Sequence, residues 1–599
     1  MTTASPPARR PAVSHGGELP ADPQHPRTLG AALRRAARDF PDAGIRVVAE
    51  DGTDTLLDHA TLLTRARAVR AGLRARGVAP GSAAILRVDS GVDYWPAFWG
   101  CALGGVVPLT VGAPAGYDAD SPAVAALLHA WRALDAPVVL AGAADAAGLA
   151  GLPLADRVVD VAELAAAGPA GAAAGRAAVD PAGASADADV EPGPDEVAVL
   201  QLSSGSTGTP KIIPLTHRGL SEYAVGARVL LDVRPGDVLL NWLPLDHVAG
   251  LLLYHLGGVF LGASSVHVAT GLVLADPTRW LDLMARHGVT HGWSPNFGLR
   301  LVADAVGRAP GGRRWELGGV RRMVSGGEQC LPETFRAFVA ATGVPAAAMT
   351  PAWGMSETST GITFGSFTEP GCRQVVRTAS LDGDVEWVED AAGGDVTELL
   401  SVGRPAPGAT LRIVDADGAV QPEGRVGRVQ VRSARVTPGY LGDPEATRAA
   451  FPDGDWLDTG DLGYLRDGAL TVTGRAKDLV ILNGQNIPCH EVERVVGAVA
   501  GVRAGLVAAV GVPDARTGTE ALVVFAVTDA EGGHAVAPAD PHATTGSAAE
   551  RVAGAVSAAV ARRWQLAPRR VVILGGRRPA PFPAAAVAGE DHPSRALGS

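Results

Sequence analysis

Residues 203–211 read Ser-Ser-Gly-Ser-Thr-Gly-Thr-Pro-Lys and directly follow an apolar run, Val197–Leu202. These residue types suit the holding of phosphate. Gly205 and Gly208 let successive backbone N–H groups close around anionic oxygens. The hydroxyls of Ser203, Ser204, Ser206, Thr207 and Thr209 add donors, and Lys211 adds a positive charge. The spacing is not that of the Walker A loop, which needs four residues between its glycines and then Gly-Lys-Ser/Thr. The bland reading of such a string is a polar turn. Lys211 weighs against it, because the chain has only two lysines, Lys211 and Lys477, beside 50 arginines. The bland reading of the scarcity is codon bias toward Arg. Under that bias a surviving lysine marks a place where a compact charge on a flexible stem is needed and a planar fork does not serve.

Other strings carry chemistry of the same kind. In Trp353-Gly354-Met355-Ser356-Glu357-Thr358, Glu357 offers the oxygen ligand that a hard cation requires. In Trp456-Leu457-Asp458-Thr459-Gly460-Asp461, Asp461 is an acceptor-only carboxylate, suited to taking hydrogen bonds from two hydroxyls. Ser325-Gly326-Gly327-Glu328 alone is a weak signal. Gly474-Arg475-Ala476-Lys477-Asp478, continuing to Asn483-Gly484-Gln485-Asn486-Ile487, holds the second lysine. Pro244-Leu245-Asp246-His247 and Trp293-Ser294-Pro295-Asn296-Phe297 each follow an apolar run. For His247 a satisfied structural histidine is a strong competing reading.

The order and spacing of these strings resemble the adenylate-forming (AMP-binding) superfamily. That superfamily holds acyl-CoA synthetases, fatty-acyl-AMP ligases and peptide-synthetase adenylation domains. Gly403-Arg404-Pro405 and Pro438-Gly439-Tyr440, with Asp443-Pro444-Glu445 following, also fit, so the resemblance spans roughly residues 28 to 575. It implies that ATP and magnesium are used. The 203–211 loop would grip phosphates, Glu357 would hold the metal, Ser356 would touch the α-phosphate and Trp353 would stack near adenine. Trp353 stands for the usual Tyr and Ser356 for the usual Thr. The 325–328 loop, through Gly327 and Glu328, would pass the adenine ring. Asp461 would take the ribose hydroxyls, Arg475 would contact the ribose and phosphate side, and Lys477 would sit at a hinge between a large and a small domain. Gly484 would line an acceptor tunnel. His247, Asn296, Phe297 and Gly326 fall in segments that resemble the acid pocket. The Pro-Asn-Phe string and Phe98-Trp99-Gly100-Cys101 resemble fatty-acyl-AMP ligases and polyketide loading ligases most. No counterpart of the aspartate that grips an amino-acid ammonium is evident, which favours an acyl or aryl acid.

The elements that must position these groups read as an α/β fold. Helical patterns (Leu29–Phe40, Ala60–Arg76, Val124–Leu134, 218–231, 277–286, 296–306) alternate with short apolar runs (83–88, 138–141, 197–202, 237–242, 320–324, 347–351). That alternation is the signature of parallel sheets covered by helices. From about 400 to 475 short β runs predict a small all-β subdomain. Residues 476–599 predict a small, mobile α+β domain with helices at 491–498 and 548–564. The large domain is expected over 27–475, with a low-complexity insertion at 163–194. Residues 1–26, rich in Pro, Ala and Arg, are expected to be disordered and have no apolar segment of a signal peptide.

Composition excludes other classes. The chain has 599 residues, too many for one compact core. Net charge is −11 without a basic block, which argues against a nucleic-acid partner. Cys101, Cys330, Cys372 and Cys489 form no CxxC pair, so neither zinc nor a disulfide framework is implied and a cytoplasmic setting fits. The longest apolar stretch, 251–266, is broken by His255 and glycines and reads as a buried helix and strand, with no membrane span.

The implied reaction is attack of a carboxylate on the α-phosphate of ATP, giving acyl-AMP and pyrophosphate. A thiol of CoA or of a carrier protein's phosphopantetheine would then take the acyl group, as in fatty-acid or polyketide biosynthesis. An acid–thiol ligase is therefore expected, with an acyl carrier protein as one possible partner. One feature departs from the family. Its usual terminal Gly-Lys motif is replaced by Gly575-Gly576-Arg577-Arg578-Pro579, and no lysine follows. The tail is altered, or adenylation is slow or takes that lysine from elsewhere, or the step served does not need it. A catalytically weak acyl-adenylate or carrier-protein binder is the competing reading.

Overall fold

The computed structural model describes residues 9–88, 91–112, 114, 116–117, 121–166, 188–203, 210–308, 313–389, 396–476, 479–482, 485–514, 519–528, 535–538, 547–564 and 566–575. The chain divides into two compact units, residues 1–459 with 463–472, and residues 460–462 with 473–599.

Three large sheets and a two-stranded one, Arg373–Arg377 with Val396–Leu400, lie wholly or mostly in the first unit. A six-stranded sheet runs Val158–Asp160, Val138–Ala141, Ala83–Arg87, Val107–Thr110, Val197–Leu202, Ile212–Thr216. Its pairs are parallel except the last, which is antiparallel. A nine-stranded sheet orders Arg404–Pro405, Thr360–Phe364, Met349–Met355, Arg322–Ser325, His291–Trp293, Val238–Asn241, Ser264–Val268, Gly44–Val48 and Asp54–Asp58. Its centre is parallel and both edges are antiparallel. The central parallel strands are almost wholly buried, as in a sheet covered on both faces, even where they carry Ser265, His267 and His291. Helix starts are capped as their sequences require. Thr28, Asp58 and Thr216 accept the N–H groups of Ala31, Thr61 and Gly219 at helices Leu29–Asp39, His59–Ala75 and His217–Leu230. The third sheet, order Val13–His15, Ala409–Val414, Gly427–Ser433, Leu457–Arg466, Ala469–Arg475, is the small β layer expected after residue 400.

Two expectations need correction. Composition predicts disorder for residues 1–26. Residues 1–8 lie outside the described residues, but Val13–His15 forms a strand antiparallel to Ala409–Val414, Ala12 is fully buried, and the Ser14 hydroxyl donates to Gly468 O at 2.6 Å. A short edge strand takes its order from the ladder it joins, so its own sequence carries little signal. The second is a missed strand. The sequence reading assigns no element between the glycine-rich turn and the helix at 218–231, but strand Ile212–Thr216 lies there, before helix His217–Leu230. Pro214 argues against a central strand, and the strand is indeed the sheet's edge, where proline is tolerated. Of the expected 163–194 insertion, residues 167–187 lie outside the described residues. Asp189 is buried against Arg34, Arg67 and Arg70.

The apolar 251–266 stretch is a buried π-type helix Ala249–Leu256, a further helix Gly257–Leu261 and strand Ser264–Val268. His255 is fully buried there, its Nε2 accepting the Trp99 indole N–H at 2.9 Å. Among the described residues no helix is long and apolar enough to cross a membrane.

The second unit pairs Leu479–Leu482 with Gln485–Pro488 and orders a four-stranded sheet Val502–Asp514, Thr519–Thr528, Arg570–Gly575, Ala535–Pro538. Helices Cys489–Gly497 and Ala548–Trp564 supply Val492, Val496, Val556 and Val560 to a core shared with Leu522, Val524, Val571 and Ile573.

Candidate active site

The antiparallel strands Val197–Leu202 and Ile212–Thr216 hold the two ends of the 203–211 loop together. Ser203 N–H donates to Lys211 O at 2.9 Å, and Lys211 N–H donates to the Ser203 hydroxyl oxygen at 2.9 Å. This two-bond ring fixes where the Lys211 side chain starts. Ser204, Gly205, Ser206, Thr207, Gly208 and Thr209 lie outside the described residues.

Glu357 arrives from the nine-stranded sheet. Strand Met349–Met355 ends in a single 3-10 turn, Ser356–Thr358, in which the Thr358 hydroxyl accepts the Met355 N–H at 3.0 Å. Gly354 is required at the strand's last bulge, because a Cβ there would collide with Thr360 O and stand 2.6 Å from Gly361 Cα. After the turn, Ser359 and Thr360 take φ of +55° and +92°. For a β-branched residue that is a strained conformation, held only where surroundings over-determine it. Here the Ser359 hydroxyl donates to Arg435 O at 2.8 Å, and the buried Arg435 guanidinium donates to Gly361 O. Burial lowers the Arg435 pKa to about 10, so it stays charged near neutrality. Its ring partner is Tyr223, 5.2 Å from centroid to Cζ.

The 437–441 loop joins these two parts. Thr437 N–H donates to Glu357 O at 2.7 Å, the Thr437 hydroxyl lies 2.7 Å from Pro214 O, and Leu441 N–H donates to Ile212 O at 2.9 Å. Between them, the Tyr440 phenol donates to Glu357 Oε1 at 2.9 Å while Lys211 Nζ sits 4.3 Å from the centre of the Tyr440 ring. Burial, and then the Glu357 charge, raise the Tyr440 pKa, so the phenol keeps its proton at physiological pH. The lysine and the carboxylate singled out from sequence thus converge on one aromatic side chain. Glu357 is buried, with 7% of its surface exposed. In the sequence Tyr440 stands only as part of a matching Pro-Gly-Tyr string. The signal that marks it is a tyrosine following Pro-Gly and preceding the Asp443 cap of helix Pro444–Ala450.

The remaining candidates are placed as follows. Gly326 packs against strand 349–355, where a Cβ would stand 2.7 Å from Ala352 O, and Gly327 and Glu328 are exposed. Glu328 accepts the Phe297 N–H at 3.0 Å, so the 325–328 loop and the head of helix Asn296–Arg308 meet. Asn296 spends its side-chain oxygen on the Leu331 N–H at 3.1 Å, a structural tie. Phe297 is 45% exposed and packs edge-on to Trp242 at 6.2 Å. His247 accepts the Ala249 N–H through Nδ1 at 3.3 Å, and its ring lies 5.9 Å from Trp293. Trp353 is 8% exposed and belongs to the apolar cluster of Ile362, Val402 and Leu411. Ser356 begins the Glu357 turn. In the second unit Arg475 Nε donates to Asp461 Oδ1 at 2.8 Å, and Asp461 is buried. Lys477, Gly484, Arg577 and Arg578 lie outside the described residues.

Among the described residues no group of three or more acids, histidines or cysteines could by itself hold a metal ion. Glu357 is a lone carboxylate beside a lysine. That donor set suits magnesium, which keeps several waters and is commonly held by one or two carboxylates plus phosphate oxygens.

The model of the AMP-binding enzyme family matches residues 33–441, more than half of the chain, and the chain belongs to that family. It is 28% identical over 84% of its length to atromentin synthetase invA5 of Paxillus involutus. It covers 50% of that synthetase, so the chain spans about half the length of such relatives. Among solved structures, it resembles an adenylation domain of a keto acid-selecting NRPS module bound to keto acyl adenylate (TM-score 0.74, 28% identity, 95% of this chain and 97% of that one). It also resembles McyG A-PCP complexed with phenylalanyl-adenylate (TM-score 0.79, 29% identity, 94% and 81%). Fatty acyl-adenylate ligases from E. coli and L. pneumophila share the fold at TM-score 0.76 and 23% identity, covering 92% and 94%.

Proposed function

We propose that this adenylate-forming enzyme uses ATP to convert an aryl, keto or other acyl acid into its acyl-adenylate, releasing pyrophosphate, and passes the acyl group to a thiol. The observation that carries the reading is the meeting of Lys211 and Glu357 at Tyr440, beside the closed base of a Ser/Gly loop. A carboxylate is a poor electrophile, and adenylation turns its oxygen into a good leaving group. Such a step needs alignment and charge neutralisation more than covalent help from the protein. Lys211 and the loop's amides and hydroxyls would neutralise phosphate oxygens. Glu357 would hold magnesium, whose contribution when bound is to offset charge on the phosphates. Asp461 would take the ribose hydroxyls, with Arg475 beside it. His247, Phe297 and Gly326 would border the acid, and Lys477 would serve the hinge for the thiol step.

The acid class is drawn from likeness. The neighbour bound to keto acyl adenylate favours a keto acid, and the neighbour bound to phenylalanyl-adenylate is the reason amino acids belong in the test. The A-PCP neighbour favours a carrier-bound thiol over free CoA. Pyrophosphate exchange with a panel of aryl, keto, fatty and amino acids tests this. Exchange with an aryl or keto acid is expected. Formation of ADP would point to a kinase. Nucleotide binding without exchange for any acid would favour the weak-binder reading, which the lysine-free stretch after Gly575 motivates.

A further inference from the structure

Tyr440 does two jobs at once. Its hydroxyl is committed to Glu357 Oε1 at 2.9 Å, and its π-face receives the Lys211 ammonium at 4.3 Å. Both partners are charged, and both are the groups that would handle phosphate and metal. Among the described residues Lys211 and Glu357 form no ion pair with each other, and each meets the tyrosine instead. The backbone explains why they do not pair. Thr437 N–H donates to Glu357 O and Leu441 N–H to Ile212 O, so the loop carrying Tyr440 is pinned to the turn that holds Glu357 and to the strand that follows Lys211. Tyr440 N–H is in turn fixed by the Thr447 hydroxyl at 2.9 Å. The ring is therefore set between them and acts as a spacer.

We infer that Tyr440 is a positioning residue that keeps Lys211 and Glu357 apart and preset in the nucleotide-free protein, and that the nucleotide's phosphates and metal draw Lys211 off the ring when they bind. A direct Lys211–Glu357 ion pair would have to be broken before either group could serve. A cation–π contact is weaker, of a size that one phosphate contact exceeds. The inference rests on the adenylation reading for its second half only, because the apo arrangement does not depend on what the site binds.

The chain's two lysines make the test direct. In protein labelled with ¹³C at lysine Cε, only Lys211 and Lys477 give signals, and Lys211→Arg assigns them. In the apo full-length protein the Lys211 methylene resonance is expected upfield by ring current, and the shift is expected to vanish in Tyr440→Leu and persist in Tyr440→Phe. Magnesium and ATP are expected to move the wild-type resonance. Tyr440→Phe, which lacks only the bond to Glu357, is expected to raise the magnesium concentration for half-maximal pyrophosphate exchange about tenfold, with a smaller change at saturating magnesium. An unchanged Lys211 resonance in Tyr440→Leu, with the fold intact by circular dichroism, overturns the preset. A resonance that stays put in protein that exchanges pyrophosphate overturns the displacement. Wild-type protein that neither binds nor exchanges ATP overturns the adenylation reading instead, and the apo comparison of wild type with Tyr440→Leu still decides whether the ring is a spacer.

Discussion

Replacing Lys211 by methionine keeps the stem and removes the charge, and two very different magnitudes follow from its surroundings. The folded state loses one cation–π contact with Tyr440, worth about 0.5–1 kcal/mol at a partly exposed site. The bonds that close the loop base, Ser203 to Lys211, are made by the Lys211 backbone and survive the change. On the proposed role, catalysis loses a preset cation at the phosphates. Removing one such group typically costs about 10²–10³ in rate, or roughly 2.7–4 kcal/mol. Urea unfolding and pyrophosphate exchange measured on the same preparation should therefore separate. Unfolding should move by no more than about 1 kcal/mol, while exchange should fall at least about a hundredfold. Exchange within threefold of wild type in a folded variant would refute the phosphate role. An unfolding loss of several kcal/mol would instead make Lys211 part of the fold.

Glu357→Gln keeps an oxygen for the Tyr440 phenol and removes the charge. Stability is expected to hold, exchange to drop on the order of a hundredfold, and raised magnesium to restore part of it, read from magnesium titrations of the exchange rate. Gly354→Ala puts a methyl against the Thr360 and Gly361 backbone. Overpacking of this kind costs about 1–3 kcal/mol, so calorimetry should show a lower Tm and exchange should fall with it as the Glu357 turn shifts. Burial lowers the His217 pKa to about 4, and its Nδ1 accepts the Leu29 N–H at 3.2 Å. A histidine held neutral in the folded state stabilises it above the unfolded pKa of about 6.5, and that contribution drains away as pH falls toward 4. His217→Asn should remove up to about 1.4 kcal/mol per pH unit from the slope of stability between those values, measured by urea midpoints across the range.

The fold was legible wherever an element buries a face through its own sequence. The helices from 29, 217 and 548 and the strand from 197 to 202 follow their periodicity and caps closely. Elements that borrow their order from neighbours were not. Strand Val13–His15 exists because Ala409–Val414 offers it a ladder, and Ile212–Thr216 hides behind a proline that an edge position tolerates. The site divides in the same way. Lys211 stood out by rarity and Glu357 by its string, but Tyr440 lies 229 residues from Lys211 and 83 from Glu357, and only folding brings them together. Asn296, read as lining the acid pocket, spends its side-chain oxygen on the Leu331 N–H, a use that no spacing reveals.

The most direct measurement is an experimental structure of the protein with ATP and magnesium. The triphosphate is expected between the 203–211 loop and Glu357, with Lys211 Nζ on a phosphate oxygen and off the Tyr440 ring, and the metal on Glu357. Phosphates bound elsewhere, with Lys211 still resting on Tyr440, would contradict the phosphate and metal roles given to this pair.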